Sequence, residues 1–159
     1  MNDFNKYFNL AIKEANKSVK YHDVPIGCVI VDKNTLKVVS KSANLVEKYN
    51  NPLMHAEIIA IKKATKKVGK NLSNCIAFVT LSPCVMCATA FTYTRIDDVY
   101  YCTLNPKSGS LDKCQSLGEF DKNLYKTKFH FIENDFTSIS KQLLKDFFKN
   151  LRESKKLNL

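Results

Sequence analysis

An apolar, strand-sized run that leads through a proline into a helical segment is the feature that most constrains the fold. Residues 75–81 form this run, as expected of a strand buried on both faces. Pro83 follows, and residues 84–94 are predicted to be helical, because the missing N–H of proline is tolerated in the first turn of a helix. Another strand-like segment, 98–103, comes next. This order predicts two parallel strands joined by a right-handed helical crossover.

The remaining segments extend this unit to a complete sheet. Helical spacing of apolar residues predicts three further helices, at residues 3–20, 56–67 and 138–155. Short apolar segments predict three further strands, at residues 26–31, 36–41 and 129–132. A polar turn joins the first two of these strands, which should form an antiparallel hairpin, and 104–127 is predicted to be a loop with room for a short helix. We therefore predict a single α/β domain over 1–159, with three layers, α/β/α, around a central five-stranded mixed sheet.

The chain is small and strongly basic. Its 159 residues suffice for one domain with its own core, and a formal net charge of +10 favours an anionic partner such as nucleic acid. A lysine-rich solvated surface is the alternative explanation of that charge. The apolar runs are too short to span a membrane and no signal peptide is apparent, so we expect a cytoplasmic protein. Six cysteines in a reducing compartment suggest metal binding or catalysis more than disulfides.

Two short motifs at the starts of predicted helices carry the candidate chemistry. One contains His55 and Glu57, and the other contains Pro83, Cys84 and Cys87. Cysteines three residues apart share one helix face, and a helix N-terminus favours their thiolate forms. Two thiolates and one neutral imidazole would hold Zn²⁺ and leave one tetrahedral position for water, as in catalytic zinc sites. A structural zinc site or ordinary buried thiols are the alternatives for the cysteines.

The spacing H-x-E followed by P-C-x-x-C is the signature of zinc-dependent nucleobase deaminases. Deamination requires protonation of a ring nitrogen, attack of hydroxide on the carbon that bears the amine, and protonation of the departing ammonia. One carboxyl beside the metal can serve all three steps, so Glu57 is the predicted catalytic residue, and we expect it to be partly buried. A solvated acid in the first turn of a helix is the alternative interpretation of Glu57.

On these motifs the chain resembles the cytidine deaminase superfamily, and most closely the bacterial tRNA adenosine deaminases. The resemblance extends to V-P-I-G at residues 24–27, Arg95-Ile96 and L-K-D-F-F at residues 144–148. It implies one Zn²⁺ per chain, a homodimer, and hydrolytic conversion of adenosine to inosine at the wobble position of a tRNA anticodon stem-loop. It also implies four substrate-binding residues, which are Asn44, Asn105, Phe148 and Lys149. We expect neither a membrane nor DNA among the partners.

Three positions depart from the family pattern. Ser82 replaces a glutamate before Pro-Cys, Asn105 replaces an aspartate near the substrate backbone, and Cys28 replaces a small residue. None of these changes removes a predicted zinc ligand or Glu57. Ser82 and Asn105 keep open a second hypothesis, a deaminase of a free base or nucleoside such as cytosine, cytidine or guanine. The third hypothesis is a non-catalytic zinc-stabilised RNA-binding module, against which Glu57 argues.

Two further sets of residues have competing interpretations. Basic residues at helical spacing near the C-terminus form either an RNA contact or a solubilising helix face, and they are Lys141, Lys145, Lys149 and Arg152. Three cysteines outside the motifs are predicted to be buried thiols, and they are Cys75, Cys102 and Cys114.

Overall fold

A computed structural model describes residues 4–105 and 126–157. The helices in these two ranges are α1 (Phe4–Val19), α2 (Val46–Tyr49), α3 (Ala56–Val68), α4 (Val85–Tyr93) and α5 (Asp135–Leu157). The strands are β1 (Gly27–Asp32), β2 (Val38–Ala43), β3 (Cys75–Val79), β4 (Asp98–Tyr101) and β5 (Lys128–Phe131). Most of the predicted loop at 104–127, together with Cys114, lies outside the described residues.

The five strands form one mixed sheet in the order β2-β1-β3-β4-β5. Strand β1 is antiparallel to both β2 and β3, which confirms the predicted hairpin. Strands β3, β4 and β5 are mutually parallel, and α4 connects the first two of them as the strand–helix–strand pattern predicts. The predicted five-stranded mixed sheet is therefore confirmed.

Helices cover both faces of this sheet. Because side chains alternate along a strand, β1 sends Val29 and Val31 into the core under α1, while Cys28 and Ile30 enter the core under α3. All four side chains are fully buried. Helix α5 packs beside α1, and α4 packs beside α3. The arrangement is the predicted three-layer α/β/α sandwich, with one apolar core on each side of the sheet.

Helix α1 lies directly on the start of β1. A Cβ atom added to Gly27 would fall 1.9 Å from the carbonyl oxygen of Ala11, so only glycine permits this approach. The backbone N–H of Gly27 donates to Oγ1 of Thr80 at 3.1 Å, which ties β1 to the end of β3. The close approach fixes the end of the sheet at which both sequence motifs lie.

Strand β2 begins two residues later than predicted. The carboxylate of Asp32 accepts hydrogen bonds from the backbone N–H groups of Asn34 and Thr35, which lengthens the turn. Leu36 adopts a left-handed backbone conformation with φ of 58°, so it cannot belong to the strand. The predicted strand 36–41 was therefore wrong at its start, because local side-chain capping outweighed apolar periodicity.

Other element boundaries also differ from the prediction, and one of these differences arises from capping. Helix α5 begins at Asp135 rather than 138, because Oδ1 of Asn134 accepts the N–H of Phe136. It continues to Leu157, two residues beyond the predicted end. Strands β3 and β4 each end two residues before the predicted limits of 81 and 103. Within the described ranges, no helix has the length and apolar character required to span a lipid bilayer.

The outer edge of β2 is covered by lysines from α3. Nζ of Lys63 donates to the carbonyl oxygen of Lys41 at 3.1 Å, and Nζ of Lys67 donates to that of Val39 at 2.6 Å. These carbonyls belong to a strand that pairs only with β1 in the described sheet. Charged side chains therefore satisfy acceptors that an edge strand otherwise exposes.

Candidate metal centre and catalytic site

The two motifs lie at the N-termini of neighbouring helices. His55 immediately precedes α3 and Cys84 immediately precedes α4, both with extended backbones and without a side-chain capping bond. Cys87 lies one turn into α4. Since α3 and α4 pack side by side, the side chains of all three residues converge.

The three converging donor atoms have the spacing of a zinc site. Nδ1 of His55 lies 3.6 Å from Sγ of Cys84 and 3.5 Å from Sγ of Cys87. All three atoms lie within 4.8 Å of one another. Tetrahedral zinc with Zn–N of about 2.0–2.1 Å and Zn–S of about 2.3 Å requires N···S separations of about 3.6 Å. The donor set therefore fits Zn²⁺, and three protein ligands are the number typical of catalytic zinc.

The side chains of Cys84, Cys87 and His55 form hydrogen bonds with one another, and these bonds shift their pKa values in ways that favour cation binding. The hydrogen bond from the Cys87 thiol and, after it, the contact with His55 lower the pKa of Cys84 to about 4, although burial opposes them. The same hydrogen bond raises the pKa of Cys87, and the hydrogen bond to Cys84 raises the pKa of His55. The cluster thus already contains one thiolate, and a cation bound among these atoms would displace the remaining protons.

Glu57 lies beside the cluster and is buried more deeply than predicted, with 3% of its surface exposed. Burial raises the pKa of this carboxyl to about 7. Its Oε2 atom has no hydrogen-bond partner among the described residues. Cys28 is buried in the same region, and the nearby carboxylate adds to the effect of burial in raising the pKa of its thiol. A buried carboxyl with a free oxygen is costly unless it binds something, so this atom points to a bound reactant.

Asn44 is buried immediately after β2. Its Nδ2 donates to Oδ1 of Asp23 at 3.4 Å. The same Asp23 carboxylate accepts the backbone N–H groups of Glu47 and Lys48, and so anchors the short helix α2. Sequence reasoning missed both Asp23 and α2, because a four-residue helix has no periodicity and the contacts of Asp23 exist only in the folded chain.

The two polar departures from the family pattern contact each other. Oγ of Ser82 accepts the backbone N–H of Asn105 at 2.8 Å, and the backbone N–H of Ser82 donates to the carbonyl oxygen of Thr103 at 2.7 Å. Ser82 is buried two residues before Cys84. The segment that follows β4 is thereby fastened to the loop that carries the first cysteine of the cluster.

The C-terminal residues predicted to bind substrate remain on the surface. Thr137 and Ser140 dock the first turns of α5, where Oγ of Ser140 donates to the carbonyl oxygen of Thr80. Beyond that, no residue over 141–157 is buried. Phe148 is 39% exposed and Lys149 is exposed beside it. The described contacts bring neither residue to the metal cluster.

The remaining cysteines behave as predicted where they are described. Cys75 and Cys102 are buried, and burial raises the pKa of both thiols. The five cysteines of the described ranges are all free thiols.

Comparison with known proteins places these features in a family. The sequence pattern of the protein family described as the cytidine and deoxycytidylate deaminase zinc-binding region matches residues 1–103, which include both motifs. A tRNA-specific adenosine deaminase of Rickettsia bellii (strain RML369-C) is 38% identical over 144 residues, which cover 90% of this chain and 98% of that protein.

Solved structures share the fold. A chain from a study of A-to-I editing by tRNA:A34 deaminases at the wobble position of transfer RNA superposes with a TM-score of 0.75 at 30% identity, covering 88% of this chain and 99% of that chain. Guanine deaminase from Bacillus subtilis superposes with a TM-score of 0.60 at 25% identity, covering 94% of this chain and 93% of that chain.

Proposed function

Because the chain belongs to the zinc-binding cytidine and deoxycytidylate deaminase family, and within it to the tRNA-specific adenosine deaminases, we propose that it converts adenosine to inosine at the wobble position of a tRNA anticodon. The observation that carries the proposal is a buried carboxyl oxygen of Glu57 that has no hydrogen-bond partner in residues 4–105 and 126–157 and lies beside a three-donor cluster. A carboxyl so placed can exchange protons with a bound base, which a purely structural metal site does not need.

His55, Cys84 and Cys87 are the proposed zinc ligands. When bound, zinc supplies a Lewis acid that makes water a usable nucleophile near neutral pH. The low pKa of Cys84 makes its thiolate available at that pH. The contacts of His55 with both sulfurs hold its Nδ1 towards the ion site.

Glu57 is the proposed proton carrier. Its carboxylate accepts a proton from the attacking water and delivers it to a ring nitrogen, while the water oxygen bonds to the carbon that bears the amine. The carboxylate then moves the second water proton to the amine, which leaves as ammonia. A pKa of about 7 suits a group that must both accept and donate at neutral pH.

Substrate binding is assigned to residues around this centre and on α5. Asn44 and Asn105 are proposed to contact the target nucleotide. Leu45, next to Asn44, donates its N–H to Met54, the residue before His55. Asn105 donates its N–H to Ser82, two residues before Cys84. Phe148 and Lys149 are proposed to contact the anticodon stem-loop, since the surface of α5 that carries them is exposed. We further propose one domain over 1–159, a homodimer and a cytoplasmic location.

A free-base deaminase is the second candidate. The superposition with guanine deaminase over nearly the whole chain favours it. The net charge of +10 argues for RNA, because a small neutral base gains nothing from a basic surface. The higher identity to tRNA-specific adenosine deaminases points the same way.

The test offers the zinc-loaded protein two sets of substrates in parallel. One is an RNA hairpin with adenosine at the wobble position, and the other contains free adenosine, cytidine, cytosine and guanine. Inosine in the hairpin alone supports the proposal, whereas ammonia only from a free base or nucleoside supports the second candidate. A Glu57→Ala protein purified in parallel must be inactive on every substrate, which rules out a contaminating deaminase.

A further inference from the structure

A basic pocket lies at the outer edge of β2, and none of the proposed zinc ligands lines it. It has a cavity volume of about 280 Å³, and its walls come from α1, β2, α2 and α3. Four lysines and one glutamate line it, a net formal charge of +3, and these residues are Lys17, Lys20, Lys48, Lys63 and Glu14. The pocket therefore favours an anion.

The single acid in the pocket is already neutralised. The carboxylate of Glu14 lies 2.7 Å from Nζ of Lys17 and 3.3 Å from Nζ of Lys41. Within the part of the chain that the structure describes, neither Lys20 nor Lys48 has a carboxylate partner. Their charges are thus available to a ligand that enters from solvent.

Two aromatic rings lie next to the ammonium group of Lys48. Nζ of Lys48 lies 4.1 Å from the ring centroid of Tyr21 and 5.4 Å from that of Tyr49. Both rings are exposed, Tyr21 by 40% and Tyr49 by 57%. Proteins that bind single-stranded nucleic acid combine positive charge along the backbone with exposed aromatic rings on which bases stack, and both are present here.

The pocket connects directly to the catalytic end of the sheet. Its lining includes Ala43 and Leu45, on either side of the buried Asn44. The N–H of Leu45 donates to the carbonyl oxygen of Met54, the residue before His55. A strand that places one base near Glu57 can therefore continue over Asn44 towards Lys48.

We propose that this pocket at the β2 edge, with Lys20, Lys48 and Tyr21 in its wall and Tyr49 beside Lys48, binds backbone phosphates of the RNA substrate next to the target nucleotide. The assignment rests on the proposed function, since it requires a nucleic-acid substrate. It separates two tasks, chemistry at the metal cluster and backbone binding at the sheet edge. Asp23 links them, because its carboxylate holds both Asn44 and the N-terminus of α2.

The test removes the charges of Lys20 and Lys48 while keeping a flexible polar side chain at each position. The zinc-loaded variant Lys20→Gln/Lys48→Gln is compared with the parent for binding of an anticodon hairpin RNA over a series of KCl concentrations. Loss of two phosphate contacts should reduce the slope of log K against log salt by about 1.4. The variant should also raise KM for the hairpin while leaving kcat near the parental value.

Matched controls keep the experiment decisive. Lys62→Gln/Lys66→Gln removes the same charge from exposed positions of α3 outside the pocket and should keep the parental slope. Lys20→Arg/Lys48→Arg should restore it. A parental slope in the pocket variant, or an equal loss in the α3 control, overturns the inference. If the parent deaminates no RNA hairpin, the proposed function fails instead, and a slope change would still show an RNA contact here.

Discussion

Glu57 combines deep burial with an oxygen that has no partner among the described residues. We expect Glu57→Gln, which keeps the size of the side chain, to lower turnover at least about 100-fold, because the amide cannot accept and return a proton. Zinc content should stay at the parental level. Inosine formation by chromatography and elemental analysis of the metal check both outcomes, with the exposed Glu133→Gln as a control. Parental turnover in Glu57→Gln would remove the carboxyl from the reaction.

Ser82 and Asn105 depart from the family pattern as a connected pair. Ser82→Ala deletes the acceptor of the Asn105 N–H and should cost about 1 kcal/mol of stability. It should also raise KM, since the substitution removes one of the hydrogen bonds that fasten Asn105 to the loop before Cys84. Ser82→Thr keeps the hydroxyl and should behave as the parent. Urea unfolding and steady-state kinetics distinguish the variants, and identical behaviour of Ala and Thr would show that this hydrogen bond is dispensable.

The catalytic residues were the most predictable part of the chain, for a physical reason. Short spacings at helix N-termini define His55, Glu57 and the cysteine pair, and such spacings can be read directly from a sequence. Asp23 acts through contacts with residues more than twenty positions away, which no local pattern contains. The hydrogen bond between Ser82 and Asn105 could not be predicted either, because it also joins residues that are far apart in the sequence.

At the scale of elements, the turn between β1 and β2 depends on one carboxylate. Hydrogen bonds from the Thr35 backbone and side chain lower the pKa of Asp32 below its ordinary value. A carboxyl whose pKa is lower in the folded than in the unfolded chain stabilises the fold at pH values above its unfolded pKa, which is about 4. That stabilisation is lost as the pH falls through the folded pKa. The parent should therefore unfold at a higher temperature than Asp32→Asn at pH 6, and the difference should shrink between pH 5 and 3. Thermal unfolding across this range measures it, and a constant difference would contradict the assigned role.

The pattern of apolar residues predicted which segments are strands and which are helices, but it did not predict the residues at which they begin and end. The short apolar run of β1 and the strand–helix–strand order around α4 predicted the layers and the parallel pair. The start of β2 was wrong because Asp32 extends the turn, and α5 starts early because Asn134 caps it. Ends depend on single hydrogen bonds of individual side chains, and these are weak signals beside a run of apolar residues.

At the scale of the whole molecule, zinc should stabilise the fold in addition to being required for the reaction. The proposed ligands join the starts of α3 and α4, so a bound ion links two helices that cover one face of the sheet. Chelation should abolish deamination and lower the unfolding temperature, because ligand binding to the native state adds stability. Zn²⁺ should restore both and Mg²⁺ neither, since thiolate ligands disfavour hard cations. Unchanged unfolding after verified zinc removal would show that the ion is dispensable for folding.

The lysines over the β2 edge limit how copies of this protein can meet. An incoming peptide strand would have to displace the ammonium groups of Lys63 and Lys67 from the carbonyls of Lys41 and Val39. Such charge-assisted bonds are stronger than the neutral ladder that would replace them. This side of the molecule therefore resists the addition of a further strand, so sheets of two copies do not join through β2.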